Sequence, residues 1–171
     1  MSTALLILLA LVATWWLITR MRVTPSPVAM IVQRIHFPDG GVRLSDVEGS
    51  LAKLRNPEEI VIPFEHAVLV IAFPLTTPAS IAISAAFAVG FTRAELVRAA
   101  CEEYANVYEA EEATATHKTL PVEERGTLKN RNRTDGVYGI YGHDLDRLVL
   151  TAMRWTRESD GTIKIELHVE S

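Results

Sequence analysis

The feature that most constrains this chain is an uncharged apolar stretch close to its start, ALLILLALVATWWLIT at positions 4–19. The stretch contains neither proline nor glycine, and as a helix its sixteen residues rise about 24 Å at 1.5 Å per residue. Together with the uncharged residues before it, this approaches the length that crosses the ~30 Å hydrocarbon core of a bilayer. The sequence therefore predicts a transmembrane anchor over residues 1–22, with the lipid bilayer as a partner.

The residues at the end of this stretch support the anchor and give it a direction. Trp15 and Trp16 lie one helical turn before Arg20 and Arg22, so the indoles would sit at headgroup level and the guanidinium groups would reach outward. Because the basic residues follow the apolar stretch, the positive-inside rule predicts the N-terminus outside and the C-terminal domain in the cytosol.

Two alternatives to an anchor exist for the same stretch. A cleavable signal peptide normally opens with Lys or Arg and closes on a small-residue cleavage site, and neither is present here. A buried or interfacial helix is the other alternative, since apolar stretches of this length are ambiguous.

Composition indicates one folded domain after the anchor. Of the 171 residues, 49% are hydrophobic and 22% charged, which excludes a disordered chain, and the net charge of −4 gives no general attraction to nucleic acid. VTPSP at 23–27 is typical of a stiff linker, and residues 28–171 are expected to form a single domain. The single cysteine, Cys101, cannot form an intrachain disulfide, and its apolar helical context favours a packing role.

Local patterns predict a mostly antiparallel α+β domain with two helices. Strands are expected at VAMIVQRIHF, EEIVIPF, AVLVIAF, SIAISAAF and VYGIYG, and AVLVIAF is expected to be central because it is apolar on both faces. TIKIELHVE, 162–170, alternates apolar and polar residues and is predicted to form a hairpin with VLTAMRWT.

The two helices are predicted from their caps and their apolar spacing. SDVEGSLAKLR is expected to begin with a capping box of Ser45 and Glu48, and FTRAELVRAACEEYANVYEAEEA with one of Thr92 and Glu95. The end of the second helix is acidic and opposes the helix dipole, so it should fray or meet basic residues elsewhere; the acidic residues are Glu109, Glu111 and Glu112.

The segment GHDLD, 142–146, has two interpretations. His143, Asp144 and Asp146 are residue types that bind a divalent metal or transfer protons, which would suit a small metal-dependent hydrolase. Adjacent side chains diverge, however, so a shared metal would require a special loop and further ligands. The pattern favours a structural corner, in which glycines allow a bend, Asp144 caps a short helical turn, and Leu145 and Leu148 enter the core.

The loop RGTLKNRNR gathers the basic residues Arg125, Lys129, Arg131 and Arg133 without an acid between them. Such a loop is either a solvated surface or a phosphate-binding segment that contacts lipid headgroups or nucleic acid. No aromatic residue lies within it, so nucleic acid is not the expected partner. Glycine-rich phosphate motifs are absent, and no cofactor is expected. The sequon NRT, 132–134, should stay unmodified in a cytosolic domain.

Two segments, GFTRAELVRAACEEYANVY and TDGVYGIYGHDLDRLVL, resemble a pattern found in uncharacterised small proteins encoded by large DNA viruses. The resemblance covers about the C-terminal half of the chain and assigns no catalytic residue. It implies an accessory or structural viral protein, with the virion membrane as a candidate location. Together with the anchor, it favours a membrane-anchored, non-enzymatic binding or structural protein that has a protein partner. The metal-dependent hydrolase and the phosphate-binding loop are the alternatives.

Overall fold

The computed structural model of the chain describes residues 32–37 and 40–171. The predicted anchor with Trp15, Trp16, Arg20 and Arg22, the linker, and the first four residues of the predicted first strand lie outside the described residues. Within those residues, no helix has both the length and the apolar character needed to cross a bilayer.

The described residues form short strands around two helices. The helices are α1 (Val47–Ala52) and α2 (Arg93–Thr114), and single 3-10 turns occur at Val122–Glu124 and Leu145–Arg147. The strands are β1 (Val32–His36), β2 (Val42–Arg43), β3 (Ile60–Ile62), β4 (His66–Ile71), β5 (Ala79–Ser84), β6 (Phe91–Thr92), β7 (Val149–Arg157) and β8 (Ile163–Glu170).

One sheet dominates the structure, with the strand order β1-β7-β8-β4-β5 and with β2 also paired to β7. Its pairs are antiparallel except for β4 with β8, which run parallel. A separate two-stranded sheet joins β3 and β6. This arrangement confirms the predicted α+β class, the mostly antiparallel sheet and the two helices.

The best-predicted strands are those with the clearest residue patterns. β7 and β8 form the expected hairpin, and Ile163 and Ile165 of β8 are buried as the alternation requires. β4 lies between β8 and β5 and buries Leu69 and Ile71, so it is internal to the sheet as expected.

Helix α2 supplies the other half of the core. Its capping box is confirmed: Glu95 N donates to Thr92 Oγ1 at 3.2 Å, and Thr92 N donates to Glu95 Oε2 at 2.7 Å. Cys101 is buried, and this burial raises the pKa of its thiol to about 11, which agrees with a packing role. The buried stripe contains Leu96, Val97, Ala100, Cys101, Tyr104, Val107 and Tyr108.

Two local predictions were wrong. The N-cap of α1 is Asp46, whose carboxylate accepts from Gly49 N at 2.9 Å, and Ser45 does not cap the helix. VYGIYG is not a strand, because Gly139 and Gly142 have φ of +66° and +74°, which interrupts an extended backbone. Only isolated bridges, such as that of Leu75 with Ile140, pair this segment with other residues.

Candidate functional site

The three polar residues of the GHDLD corner contact three different neighbours. His143 Nδ1 lies 2.7 Å from Ser171 Oγ, and the His143 ring packs at 4.9 Å from the Phe73 ring. Asp144 forms an ion pair with Arg125. Asp146 is exposed, and its backbone carbonyl accepts from Arg43 at 3.3 Å. Among the described residues, no group of three His, Cys, Asp or Glu side chains lies close enough to hold a metal ion.

The corner is built as a turn that enters the core. Asp144 precedes the 3-10 turn Leu145–Arg147, but its side chain does not cap that turn, contrary to the sequence prediction. The Asp144 carboxylate instead accepts from Arg125, with one Nη2 to Oδ1 distance of 3.1 Å. Leu148 is fully buried and Leu145 packs against the core, as expected.

The predicted basic loop does not present its four cations together. The Arg125 side chain is only 6% exposed, and its hydrogen bonds with Asp144 raise the pKa of its guanidinium. The Arg131 side chain is 7% exposed, lies over the Tyr108 ring, and approaches Glu112 at 3.5 Å. Lys129 and Arg133 remain exposed. Two of the four basic side chains, those of Arg125 and Arg131, are therefore buried in contacts within the domain. A phosphate at the surface cannot contact all four residues at once.

The glycosylation sequon in this loop is also part of the fold. The Asn132 side-chain amide donates to Lys118 O at 3.0 Å, and its oxygen accepts from Leu120 N at 2.8 Å. Thr134 is buried. An attached glycan would replace one N–H of the Asn132 amide nitrogen, which donates to Lys118 O, so modification of the folded domain competes with this hydrogen bond.

A buried carboxylate that the sequence pattern did not identify holds the segment before the corner. Glu111, in the last turn of α2, is fully buried. Its Oε1 accepts from Thr134 Oγ1 at 2.6 Å and from Gly136 N at 2.8 Å, and its Oε2 accepts from Tyr138 N at 2.8 Å and from Gly139 N at 3.0 Å. The acidic end of α2 thus meets backbone N–H groups through Glu111, and meets the basic Arg131 through Glu112.

These hydrogen bonds decide the charge of Glu111. Burial alone would raise the pKa of its carboxyl, but the bonds from Thr134 and from the backbone of Tyr138, Gly139 and Gly136 outweigh it and bring the pKa below the ordinary value. Gly136 is required at its position, since a Cβ there would lie 2.5 Å from the carbonyl oxygen of Glu111. The only sequence signal was an acid where the helix dipole disfavours one.

A concave feature of the described residues lies elsewhere, between the strand β1 and the end of α1. We call it the β1–α1 pocket; its volume is about 530 Å³. Ile35, Phe37 and Leu54 give it an apolar part, which is typical of a small-molecule site. Its polar and charged lining residues are Gln33, Arg34, His36, Ser50, Lys53, Arg55, Asn56, Glu59 and Arg93.

The charges around the β1–α1 pocket are predominantly positive. Among the described lining residues, the one carboxylate is that of Glu59, which accepts from Arg93 Nη2 at 2.7 Å, so its charge is already offset. Arg93 Nε is buried and has no hydrogen-bond partner within the part of the chain that the structure describes. Arg34 and Lys53 are exposed on the lining. Sequence reasoning missed this cluster because its members come from β1, α1, the following loop and α2, with no local motif.

Comparison of the chain with protein-family models, with curated protein sequences and with solved structures finds no match. The residues themselves therefore carry the functional inference.

The Glu111 network predicts a large and specific stability effect. Glu111→Gln should lower the free energy of unfolding at pH 7 by about 2–4 kcal/mol, because an amide retains one acceptor and places N–H donors against the backbone N–H groups. Urea denaturation followed by circular dichroism measures this change. Glu109→Gln on the exposed face of the same helix is the control and should change it by less than about 0.5 kcal/mol.

The pH dependence of that effect has a defined sign. The folded-state pKa of Glu111 is lowered, so its stabilisation is complete above the ordinary carboxyl pKa of about 4.3 and is lost as the pH falls through the folded value. The stability difference between the wild type and Glu111→Gln should therefore shrink in acid. A difference that grows on acidification would contradict an ionised Glu111.

The corner predicts unequal roles for its two aspartates. Asp144→Ala should lower the free energy of unfolding by about 2–3 kcal/mol, because it leaves the buried Arg125 without its carboxylate, whereas exposed Asp146→Ala should change it by less than about 0.5 kcal/mol. Chemical denaturation gives both values. Equal effects of the two changes would contradict these unequal roles, and calorimetric zinc binding that both variants abolish while folded would support the metal site.

Proposed function

We propose that this chain is a membrane-anchored binding protein whose β1–α1 pocket takes an anionic group attached to an apolar chain. The observation that carries the proposal is the lining of that pocket, which joins an apolar part to a surplus of positive charge. A ligand with an anionic group attached to a hydrocarbon chain would match both the positive and the apolar parts of the pocket. A lipid with a phosphate headgroup is such a ligand.

Electrostatics favour an anion over a neutral or cationic ligand. The Arg93 guanidinium offsets Glu59, which leaves a surplus of positive charge among the described lining residues. Lys53 and Arg34 are exposed there, and Arg34 Nη2 also lies 3.4 Å from His168 Nε2. Two cations at a partly enclosed surface attract an anion by an amount that salt weakens, since charges on an exposed rim are screened within about 8–10 Å. Binding should accordingly weaken as ionic strength rises.

The predicted anchor puts the same pocket near lipid. β1 begins ten residues after Arg22, and a fully extended segment of that length reaches at most about 35 Å. If the anchor spans a bilayer, the start of β1 stays within about 35 Å of the membrane end of the anchor. Confinement of this kind raises the effective concentration of a lipid, so modest intrinsic affinity is sufficient.

The test uses the full chain in phosphatidylcholine nanodiscs, titrated with dihexanoyl phosphatidate or with inorganic phosphate. Backbone amide shifts of Ser50 and Val61, which line the pocket, report binding. We expect phosphatidate to bind at least about tenfold more tightly than inorganic phosphate, because only the lipid also contacts the apolar part. Equal affinity would contradict the lipid assignment and indicate a site for free phosphate.

Two charge-reversal variants locate the site. Lys53→Glu on the pocket should weaken phosphatidate binding by at least about tenfold, whereas Lys129→Glu on the exposed loop should change it by less than about twofold. The variants have the same net charge, so a general charge effect cannot produce the difference. The reverse result would contradict the pocket and support binding through the basic loop.

A further inference from the structure

Strand β5 forms one edge of the main sheet and pairs only with β4 among the described strands. Its other edge faces away from the sheet, so half of its backbone N–H and C=O groups have no partner in any described strand. Long, regular edges of this kind are templates for pairing with another strand, and proteins usually protect them with charges, proline or bulges.

The hydrogen-bond pattern identifies which groups are open. Ala85 N donates to Glu65 O at 2.8 Å, just beyond the paired residues. Because bonded and non-bonded residues alternate along an antiparallel pair, Ile83 and Ile81 bond to β4. The backbone groups of Ser80, Ala82 and Ser84 therefore point away from β4.

This edge has none of the usual charged protection. No residue from Ala67 to Thr92 is charged, a range that covers β5, β6 and all of β4 after its first residue, His66. Ser80, Ala82 and Ser84 are small and exposed, so a second strand can approach closely. Phe87 and Val89, shortly after β5, are 71% and 63% exposed, which continues the apolar surface beyond the strand.

We propose that β5 pairs in antiparallel fashion with β5 of a second copy of this chain. In the register centred on Ala82, each Ala82 exchanges N–H···O bonds with its counterpart, and Ser80 does so with Ser84 of the other copy. The same register sets Ile81 opposite Ile83 on the face that packs on the core, so the apolar surface continues across the two-fold axis.

A second copy fits this edge better than a charged partner strand. The β5 sequence from Ser80 to Ser84, SIAIS, is the same in both directions and contains only apolar or small residues. In an antiparallel pair of two β5 strands, a two-fold axis therefore relates identical residues, as a homodimer requires. Although the whole chain carries a net charge of −4, no charge lies on this segment, so two copies meet without local repulsion.

Sedimentation of the full chain in non-ionic detergent tests the dimer. We expect a concentration-dependent monomer–dimer equilibrium, with Ala82→Lys raising the dissociation constant by at least about tenfold, because it places a charge at the two-fold axis. Leu128→Lys, at another exposed apolar residue, is the control and should leave the equilibrium unchanged. A monomeric wild type, or equal dimerisation of Ala82→Lys, would overturn the proposal.

Cysteine cross-linking tests the register independently of stability. Ala82→Cys should form a disulfide-linked dimer under mild oxidation, since directly paired residues lie about 5.5 Å apart, within disulfide reach. Ser80→Cys should not, because the two copies of residue 80 would be about 14 Å apart. Cys101 is buried and provides no competing thiol. A cross-link from Ser80→Cys and none from Ala82→Cys would overturn this register.

Discussion

The ionised carboxylate of Glu111 is the interaction on which the C-terminal part of the structure depends. The segment from Thr134 to Ile140 belongs to none of the described strands and pairs with Leu75 only through an isolated bridge at Ile140, yet Gly139 and Ile140 are buried. One side chain from α2 accepts the N–H groups that a neighbouring strand would otherwise bond. Because the acceptor is charged and enclosed, each of these bonds is stronger than its neutral counterpart. Loss of the carboxylate would leave several buried N–H donors without an acceptor at the same time.

Helix α2 connects this network to the proposed binding site. Its first residue, Arg93, forms the ion pair with Glu59 in the lining of the β1–α1 pocket, while Glu111 and Glu112 in its last turn organise the segment that precedes the corner. The buried stripe of the helix packs in the same core as the sheet. Displacing either end of α2 would therefore affect both the β1–α1 pocket and the segment before the corner. The charge at the first end pairs with Glu59, and the charges at the last turn hold that segment.

The sequence predicted best those elements whose signal is local. Thr92 with Glu95, and the alternation of the last strand, depend on neighbouring residues and were confirmed. VYGIYG has strand-like composition, but Gly139 and Gly142 adopt a left-handed backbone. The N–H groups of Tyr138 and Gly139 donate to Glu111, which lies well before the segment in the sequence. No periodicity reports such a partner.

The same limit of local patterns applies to the sites. Arg125 and Arg131 look like surface charge in sequence, because their acids, Asp144 and Glu112, lie on other segments. The pocket was missed for the complementary reason, since Arg34, Lys53 and Arg93 come together only in the fold. The role of each of these charged residues depends on which distant segment packs against it. Local sequence patterns do not identify that segment, and only the tertiary structure shows it.

Native-state hydrogen exchange tests the role of Glu111 most directly. The amide hydrogens of Gly136, Tyr138 and Gly139 lie in a segment without regular secondary structure, where exchange is ordinarily fast. If the buried carboxylate holds them, they should be protected by at least about 10³-fold and exchange only when α2 and this segment separate. Exchange at the rate of an exposed loop would contradict the account.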